Sequence, residues 1–323
     1  MPANFEQGFN QTAYGKFAMT ETFAGLRRKM GSASDLQSVV RAMKALAASN
    51  VSQYEKSALA LADYFECVEQ GLGVCFRRKN LLSKAFTPNP KNNSSIKSKS
   101  PFKSHLNLKC AVVFGSDQGL VGQFNTLIAQ YSKNALENSE TKVWAVGERV
   151  AENLLQAGFK LEQVFDVPQS VKSVTPLVTD ILVECHSELE KHVGAEFHLF
   201  YNHHKKGASY EPAQQQLLPL DIAWQVKMAN KPWPAKNLPE AIGGEKTLHA
   251  MIREFLFVSL FRACSESLAS ENASRLAAMQ RAEKNIRELL ENLGGVFHRL
   301  RQEQIDEELF DVVSGFEALG KSK

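Results

Sequence analysis

The run LQSVVRAMKALAASNVSQYEKSALALADYFECVEQGL, residues 36–72, is written in helical periods. Apolar or small residues recur at Leu36, Val40, Met43, Ala47, Val51, Tyr54, Ala58, Leu61, Phe65, Val68 and Leu72. Those ten steps average 3.6 residues, the period of a straight helix, and the six from Val51 average 3.5, the period of a coiled-coil seam. A helix over 26–72 would extend roughly 70 Å at the usual rise per residue, more than one helix of a compact globule needs.

A second pattern of this kind closes the chain. Leu248, Ile252, Phe255 and Val258 begin it, Leu276 and Met279 continue it, and a strict seam follows at Ile286, Leu290, Leu293, Phe297 and Leu300. It ends with Leu309, Val312, Val313 and Phe316, so residues 245–316 would reach about 105 Å if continuous. Two long helices from opposite ends of a chain close most simply as an antiparallel pair, and the longer must project past the shorter. Gly294 and Gly295 interrupt the seam; each weakens a helix interior by about 1 kcal/mol relative to alanine, which predicts a kink or a close approach there.

Between the helices the rhythm changes. Residues 76–107 form a Lys-, Ser-, Asn- and Pro-rich stretch that reads as a flexible linker. Strands are then expected at 108–114, 142–146, 164–167 and 196–201, alternating with helices at 124–136, 148–156 and 176–192, and Tyr210–Leu218 adds an edge strand. Such alternation implies βαβ crossovers, a Rossmann-like α/β domain over 108–220 with a mainly parallel sheet. The fold class is thus α/β plus a long antiparallel coiled coil: 20–75 and 245–319 make the rod, 221–244 is a linker, and 1–19 reads as a disordered extension.

Composition narrows the function. Of the 323 residues 44% are hydrophobic, enough for a buried core, and no run of about 18 uncharged apolar residues could insert into a membrane. The first 19 residues are polar and carry no secretory signal. Five cysteines without CxxC spacing argue for free, mostly buried thiols rather than disulfides or zinc. The net charge of +3 is uneven: residues 76–109 hold nine basic side chains and no acid, which leaves 29 basic residues against 35 acidic ones elsewhere. That basic stretch lacks interleaved aromatics, so no nucleic-acid partner is expected.

Few motifs suggest chemistry. The turn Gly115-Ser116-Asp117-Gln118-Gly119-Leu120-Val121-Gly122 follows a strand and opens a helix, where phosphates are often cradled, yet it matches neither GxxxxGK[ST] nor GxGxxG. Its glycines are better explained by turn geometry. His203 and His204, beside Lys205 and Lys206, read as a solvated loop rather than a metal site, since ammonium groups oppose a cation. No catalytic residue, cofactor or metal is expected. More unusual is the charge on the helices: Arg27, Arg28, Lys29, Arg41 and Lys44 near one end, with Arg275, Arg281, Arg287, Arg299 and Arg301 on the antiparallel partner. This suits a rod turning inside a partner with a polar or acidic lining.

The same residues carry a family likeness. Leu26-Arg27-Arg28, the stretch from Val39 to Ala48, the turn from Ser116 to Gly122 with Asn125, the run from Gln215 to Leu220, Ala269-Ser270-Glu271 with Arg275 and Met279, and the stretch from Arg301 to Leu309 resemble the gamma subunit of rotary F-type ATP synthases. The resemblance spans about residues 25–319, with a diverged, alternative-type bacterial member suggested by Asp306, His298, Leu36 and the Gly294-Gly295 pair. It implies a non-catalytic central-stalk rotor that couples proton or sodium flow to ATP synthesis or hydrolysis on beta subunits. The implied partners are a ring of alpha and beta subunits, an epsilon subunit and the membrane ring of c subunits. The implied location is peripheral, on the cytoplasmic side of a bacterial inner membrane. The implied subunit contacts are Arg41, Met43, Lys44, Arg275, Arg301, Gln302 and Glu308, with Val312, Val313 and Phe316 in an apolar bearing. The rival readings are a coiled-coil scaffold and a nucleotide-binding α/β protein with helical arms.

Overall fold

A computed structural model describes residues 23–77, 108–136, 140–192, 195–205, 210–234 and 243–320. The expected extension at 1–19 and residues 78–107 of the expected linker lie outside the described residues. Two long helices frame the chain, α1 (Phe23–Arg77) and α6 (Glu245–Gly320). Between them come β1 (Lys109–Phe114), α2 (Phe124–Leu136), β2 (Thr141–Val146), α3 (Glu148–Gln156), β3 (Leu161–Phe165), α4 (Val171–Lys191), β4 (Glu196–His204), β5 (Tyr210–Leu218) and α5 (Ile222–Asn230). The described residues divide into two compact units, those within 1–44 together with 279–323 and those within 45–278.

In the smaller unit the helices run antiparallel: Phe23 stacks on Phe297 with ring centroids 4.5 Å apart, while Arg41 and Lys44 reach back to Glu283. In the larger unit Asn50 meets Asn272, and Phe65 meets Phe255, again with opposite chain directions. Burial on α1 recurs at a strict heptad, at Leu26, Ala33 and Val40 in the smaller unit and Ala47, Tyr54, Val68 and Cys75 in the larger. The seam therefore keeps the 3.5 period from its first turn. Leu36, expected in it, stands off the seam at 53% exposed because Ala33 takes that register.

The larger unit is a layered α/β domain. Its sheet has the order β3-β2-β1-β4-β5, with the first four strands parallel and β5 antiparallel to β4. Alternation along β1 splits the core: Ala111 and Val113 join Ile128, Val150 and Leu154 of α2 and α3, whereas Cys110, Val112 and Phe114 join Val178 and Ile181 of α4 and residues of both long helices. Fully burying such side chains contributes roughly 1.5–3 kcal/mol each, so both faces of the sheet are held by their cover. Pro212 is tolerated in β5 because an edge strand has one unpaired side. Cys75, Cys110, Cys185 and Cys264 are buried and Cys67 is exposed, all as free thiols.

Several boundaries differ from expectation. The third strand lies at Leu161–Phe165 rather than 164–167, and α4 begins at Val171, five residues before Pro176. The strand expected to end at Tyr201 runs on to His204. The 221–244 segment is not all linker: Asp221 caps α5 by accepting from the Ala223 N–H at 3.1 Å, and Met228 is buried. Residues 76 and 77 belong to α1. Phe76 is buried, and Arg77 donates to the carbonyls of Ala229 and Lys231 at 2.9 and 2.5 Å, satisfying the end of α5.

The glycine pair also departs from expectation. The α6 backbone stays helical through Gly294 and Gly295, and a methyl group on either would meet nothing within 4 Å beyond the helix itself. Neither kink nor close approach is needed. Gly294→Ala and Gly295→Ala should therefore each stabilise the helix by about 1 kcal/mol. Slower amide exchange across 290–300 in the double variant is the expected measurement; unchanged or faster exchange would show that the glycines are needed.

Candidate functional site

In an open α/β sheet, ligands sit beyond the carboxyl ends of the strands where the winding direction reverses, here between β1 and β4. This chain fills that crevice with its own α6. Ser274 Oγ donates to the Val121 carbonyl at 2.5 Å and Ser270 Oγ to the Asn202 carbonyl at 2.8 Å, while Asn202 Nδ2 donates to the Phe124 carbonyl at 3.2 Å. Ala269, Ser270, Ala273 and Ser274 are buried there, small enough for the helix to approach the strand ends.

The turn after β1 is equally self-satisfied. Ser116 N–H donates to Asn125 Oδ1 at 3.0 Å and Asn125 Nδ2 to Ser116 Oγ at 2.8 Å. Asp117 accepts from the Glu148 N–H at 3.1 Å and the Val167 N–H at 2.9 Å, pinning two neighbouring loops. Leu120 and Gly122 take positive φ of 64° and 63°, the geometry that the glycine-rich turn was expected to serve. Its Gly115 and Ser116 amides are spent on the Val146 carbonyl and the Asn125 side chain, and the Asp117 carboxylate next in the chain would repel a phosphate.

Beside this crevice sits a buried charge. Glu271 is 4% exposed and accepts from Arg275 Nη2 at 2.6 Å. Burial pushes its carboxyl up to about 7; the Arg275 charge opposes this and Asp117 adds to it. Tyr54 Oη donates to the Pro168 carbonyl at 3.3 Å, and burial raises that phenol to about 12. The histidines are not a solvated loop. His203 and His204 end β4, with His203 Nδ1 2.6 Å from Glu266 and His204 Nε2 2.9 Å from Glu55. Among the described residues no cluster of His, Cys, Asp and Glu is placed to hold a metal.

In the smaller unit Glu283 occupies a seam position between Met279 and Ile286. It pairs with Lys44 Nζ at 2.6 Å and Arg41 Nε at 3.1 Å, and Lys44 first, then Arg41, holds its carboxyl below the usual glutamate range. A charge at a seam position fixes helix register, because slipping the pair would strand it. Met43 is half-buried beside these cations. Arg301, Gln302 and Glu308 are exposed, as are Ile305, Leu309, Phe310, Val312, Val313 and Phe316, at 49–77%. Arg275 differs from the other expected contacts: it lies in the larger unit, mostly covered, on Glu271.

The family profile described as "ATP synthase" matches residues 22–319. The chain belongs to that family. It is 28% identical over 305 residues to the ATP synthase gamma chain of Granulibacter bethesdensis, covering 91% of this chain and 98% of that one. The gamma chain of Bdellovibrio bacteriovorus is 25% identical over 311 residues, with 91% and 97% covered. In fold the chain is similar to a chain of the Tetrahymena thermophila mitochondrial ATP synthase central stalk and c-ring, at a TM-score of 0.51 and 23% identity, covering 76% of this chain and 99% of that one. It is likewise similar to one from the Euglena gracilis mitochondrial ATP synthase rotor, at 0.58 and 14%, covering 88% and 98%. A gamma-type, central-stalk rotor subunit of an ATP synthase is what fold and family together describe.

The sequence singles out neither Glu283, which looks like one more helix-surface acid, nor Asn202 and Ser274, and it marks Ser270 only as part of a family stretch, because the bonds of these three go to backbone carbonyls. The one legible signal for Ser270 and Ser274 is the density of Ser and Ala from 263 to 274, which marks a helix in close contact.

Proposed function

We propose that this chain is the turning shaft of an F-type ATP synthase, coupling transmembrane proton or sodium flow to ATP synthesis or hydrolysis on beta subunits and catalysing nothing itself. The observation that carries this reading is the end of α6. Six large apolar side chains from Ile305 to Phe316 face solvent on a helix that no other described residue of the chain covers. An apolar surface of this kind marks a contact with another protein. A ring of alpha and beta subunits closing on Val312, Val313 and Phe316 would make a bearing with few directional bonds to break at each step. Arg41, Met43, Lys44, Arg301, Gln302 and Glu308 are the proposed polar contacts, with Arg275 a mostly covered member. The α/β domain is the proposed seat for an epsilon subunit and the c ring. No described helix is long and apolar enough to cross a membrane; the proposed place is peripheral, on the cytoplasmic face of a bacterial inner membrane.

Co-expression with cognate alpha and beta subunits tests this. One copy of the chain should enter each ring and support ATP hydrolysis; a chain that never enters such a ring overturns the reading. Arg301→Ala combined with Gln302→Ala should lower turnover of the assembled complex by about tenfold, as for loss of one or two charged hydrogen bonds at an interface. Because both residues are exposed, thermal unfolding of the isolated chain should hardly move. Wild-type turnover in that variant would remove both from the contact set.

A further inference from the structure

We infer that the tip of β4, Asn202-His203-His204, is the joint through which turning force passes between the α/β domain and the two long helices. This rests on the rotor reading above. Three consecutive residues of one strand reach three elements. The Asn202 carbonyl accepts from Ser270 of α6 while its side chain donates to the Phe124 carbonyl at the start of α2. His203 meets Glu266 of α6, whose other oxygen is held by Arg262 Nε at 2.7 Å. His204 meets Glu55 of α1. The strand end itself is held in register by β5, where Asn202, His203 and His204 oppose Pro212, Glu211 and Tyr210.

The remaining contact between domain and helices is mainly apolar, built from residues such as Val68, Leu72, Phe255, Val258 and Leu268, with Tyr54 to the Pro168 carbonyl, Ser274 to the Val121 carbonyl and Arg77 to the end of α5 as its further polar links. Apolar contact resists separation but is non-directional, so it opposes sliding only weakly. A hydrogen bond is lost when its partners move by an ångström or when its angle falls below about 120°. Bonds fixed to a strand tip therefore resist rotation of the helices against the domain where greasy packing does not. Asn202 is fully buried, which keeps water from exchanging with its bonds, while His203 and Glu55 leave the two histidine contacts partly open to solvent.

The test uses the complete complex in vesicles, reading ATP hydrolysis together with the ATP-driven membrane potential from a voltage-sensitive dye, which reports either ion. In His203→Ala with His204→Ala, hydrolysis should persist while potential per ATP falls by about fivefold or more, as two bonds of ordinary net strength are lost at the joint. His203→Gln with His204→Gln, whose amides can still reach Glu266 and Glu55, should recover most of it. Ser270→Ala alone should split the two readouts in the same direction. Full potential in the Ala pair overturns the joint, and so does a parallel fall of hydrolysis and potential in all three variants, which is the mark of a merely structural role. A wild-type complex that hydrolyses ATP yet builds no potential overturns the rotor reading itself.

Discussion

Gly147→Ala should destabilise the larger unit by about 4 kcal/mol, lowering its unfolding midpoint by roughly 10 °C. Gly147 follows β2 and caps α3 at φ 115°, a conformation that side chains rarely adopt, and its N–H donates to the Phe165 carbonyl at 2.8 Å. A Cβ there would stand 2.7–2.9 Å from the backbone of Ser116, which cannot swing away because Asn125 and Arg149 bond its amide and carbonyl. Strain at positive φ accounts for about 1–3 kcal/mol and the forced backbone shift for a similar amount. Gly158 separates the two terms: it too has positive φ, 96°, but nothing lies within 4 Å of an added methyl. Gly158→Ala should therefore cost only about 1–2 kcal/mol. Equal midpoint shifts in the two variants would show that collision with Ser116 contributes nothing.

What could be read in advance followed from the strength of local signals. The helices Phe124–Leu136 and Glu148–Gln156 and the strand Tyr210–Leu218 lie where their sequences place them, because periodicity and flanking breakers agree. The third strand, LEQVF, slipped by three residues because it is an edge strand with one buried side chain; pairing to β2, not burial pattern, makes it a strand. Helix α5 was hidden by the Pro- and Gly-rich sequence that follows it, although Asp221 is an ordinary N-cap. The coiled coil was legible in kind but not in register. Leu36 is the larger apolar residue, yet Ala33 holds the seam, and only an explicit heptad from Leu26 distinguishes them. The crevice was the least legible part. A glycine-rich turn after a first strand suggests a ligand, and the Ser270 and Ser274 hydroxyls that close it come from about 150 residues downstream, bonded to carbonyls that no side-chain pattern encodes.

Glu271 gives the second large effect, and its sign follows from burial. The carboxyl is pushed from the ordinary 4.5 up to about 7 because it is shut away from water and one oxygen, Oε2, has no hydrogen-bond partner among the described residues. Arg275 is too weak a counterweight to reverse this, while the Asp117 carboxylate adds repulsion. Below pH 4.5 the group is protonated whether the chain is folded or not, so it contributes nothing to the pH dependence. Between 4.5 and about 7 the unfolded chain releases this proton and the folded chain keeps it, so stability falls as pH rises. Above about 7 both states are charged and the whole loss, about 3 kcal/mol, has been incurred. Glu271→Gln removes the titration while keeping the shape. In the variant Arg275 faces a neutral amide at every pH, as it faces a neutral carboxyl in the wild type below about 7. The informative quantity is thus the difference between wild type and Glu271→Gln in denaturant unfolding free energy, followed from pH 4 to pH 8. It should change by about 3 kcal/mol in favour of the variant as pH rises. A difference that stays flat across that range would mean that Glu271 is ionised throughout, with Arg275 rather than burial setting its charge.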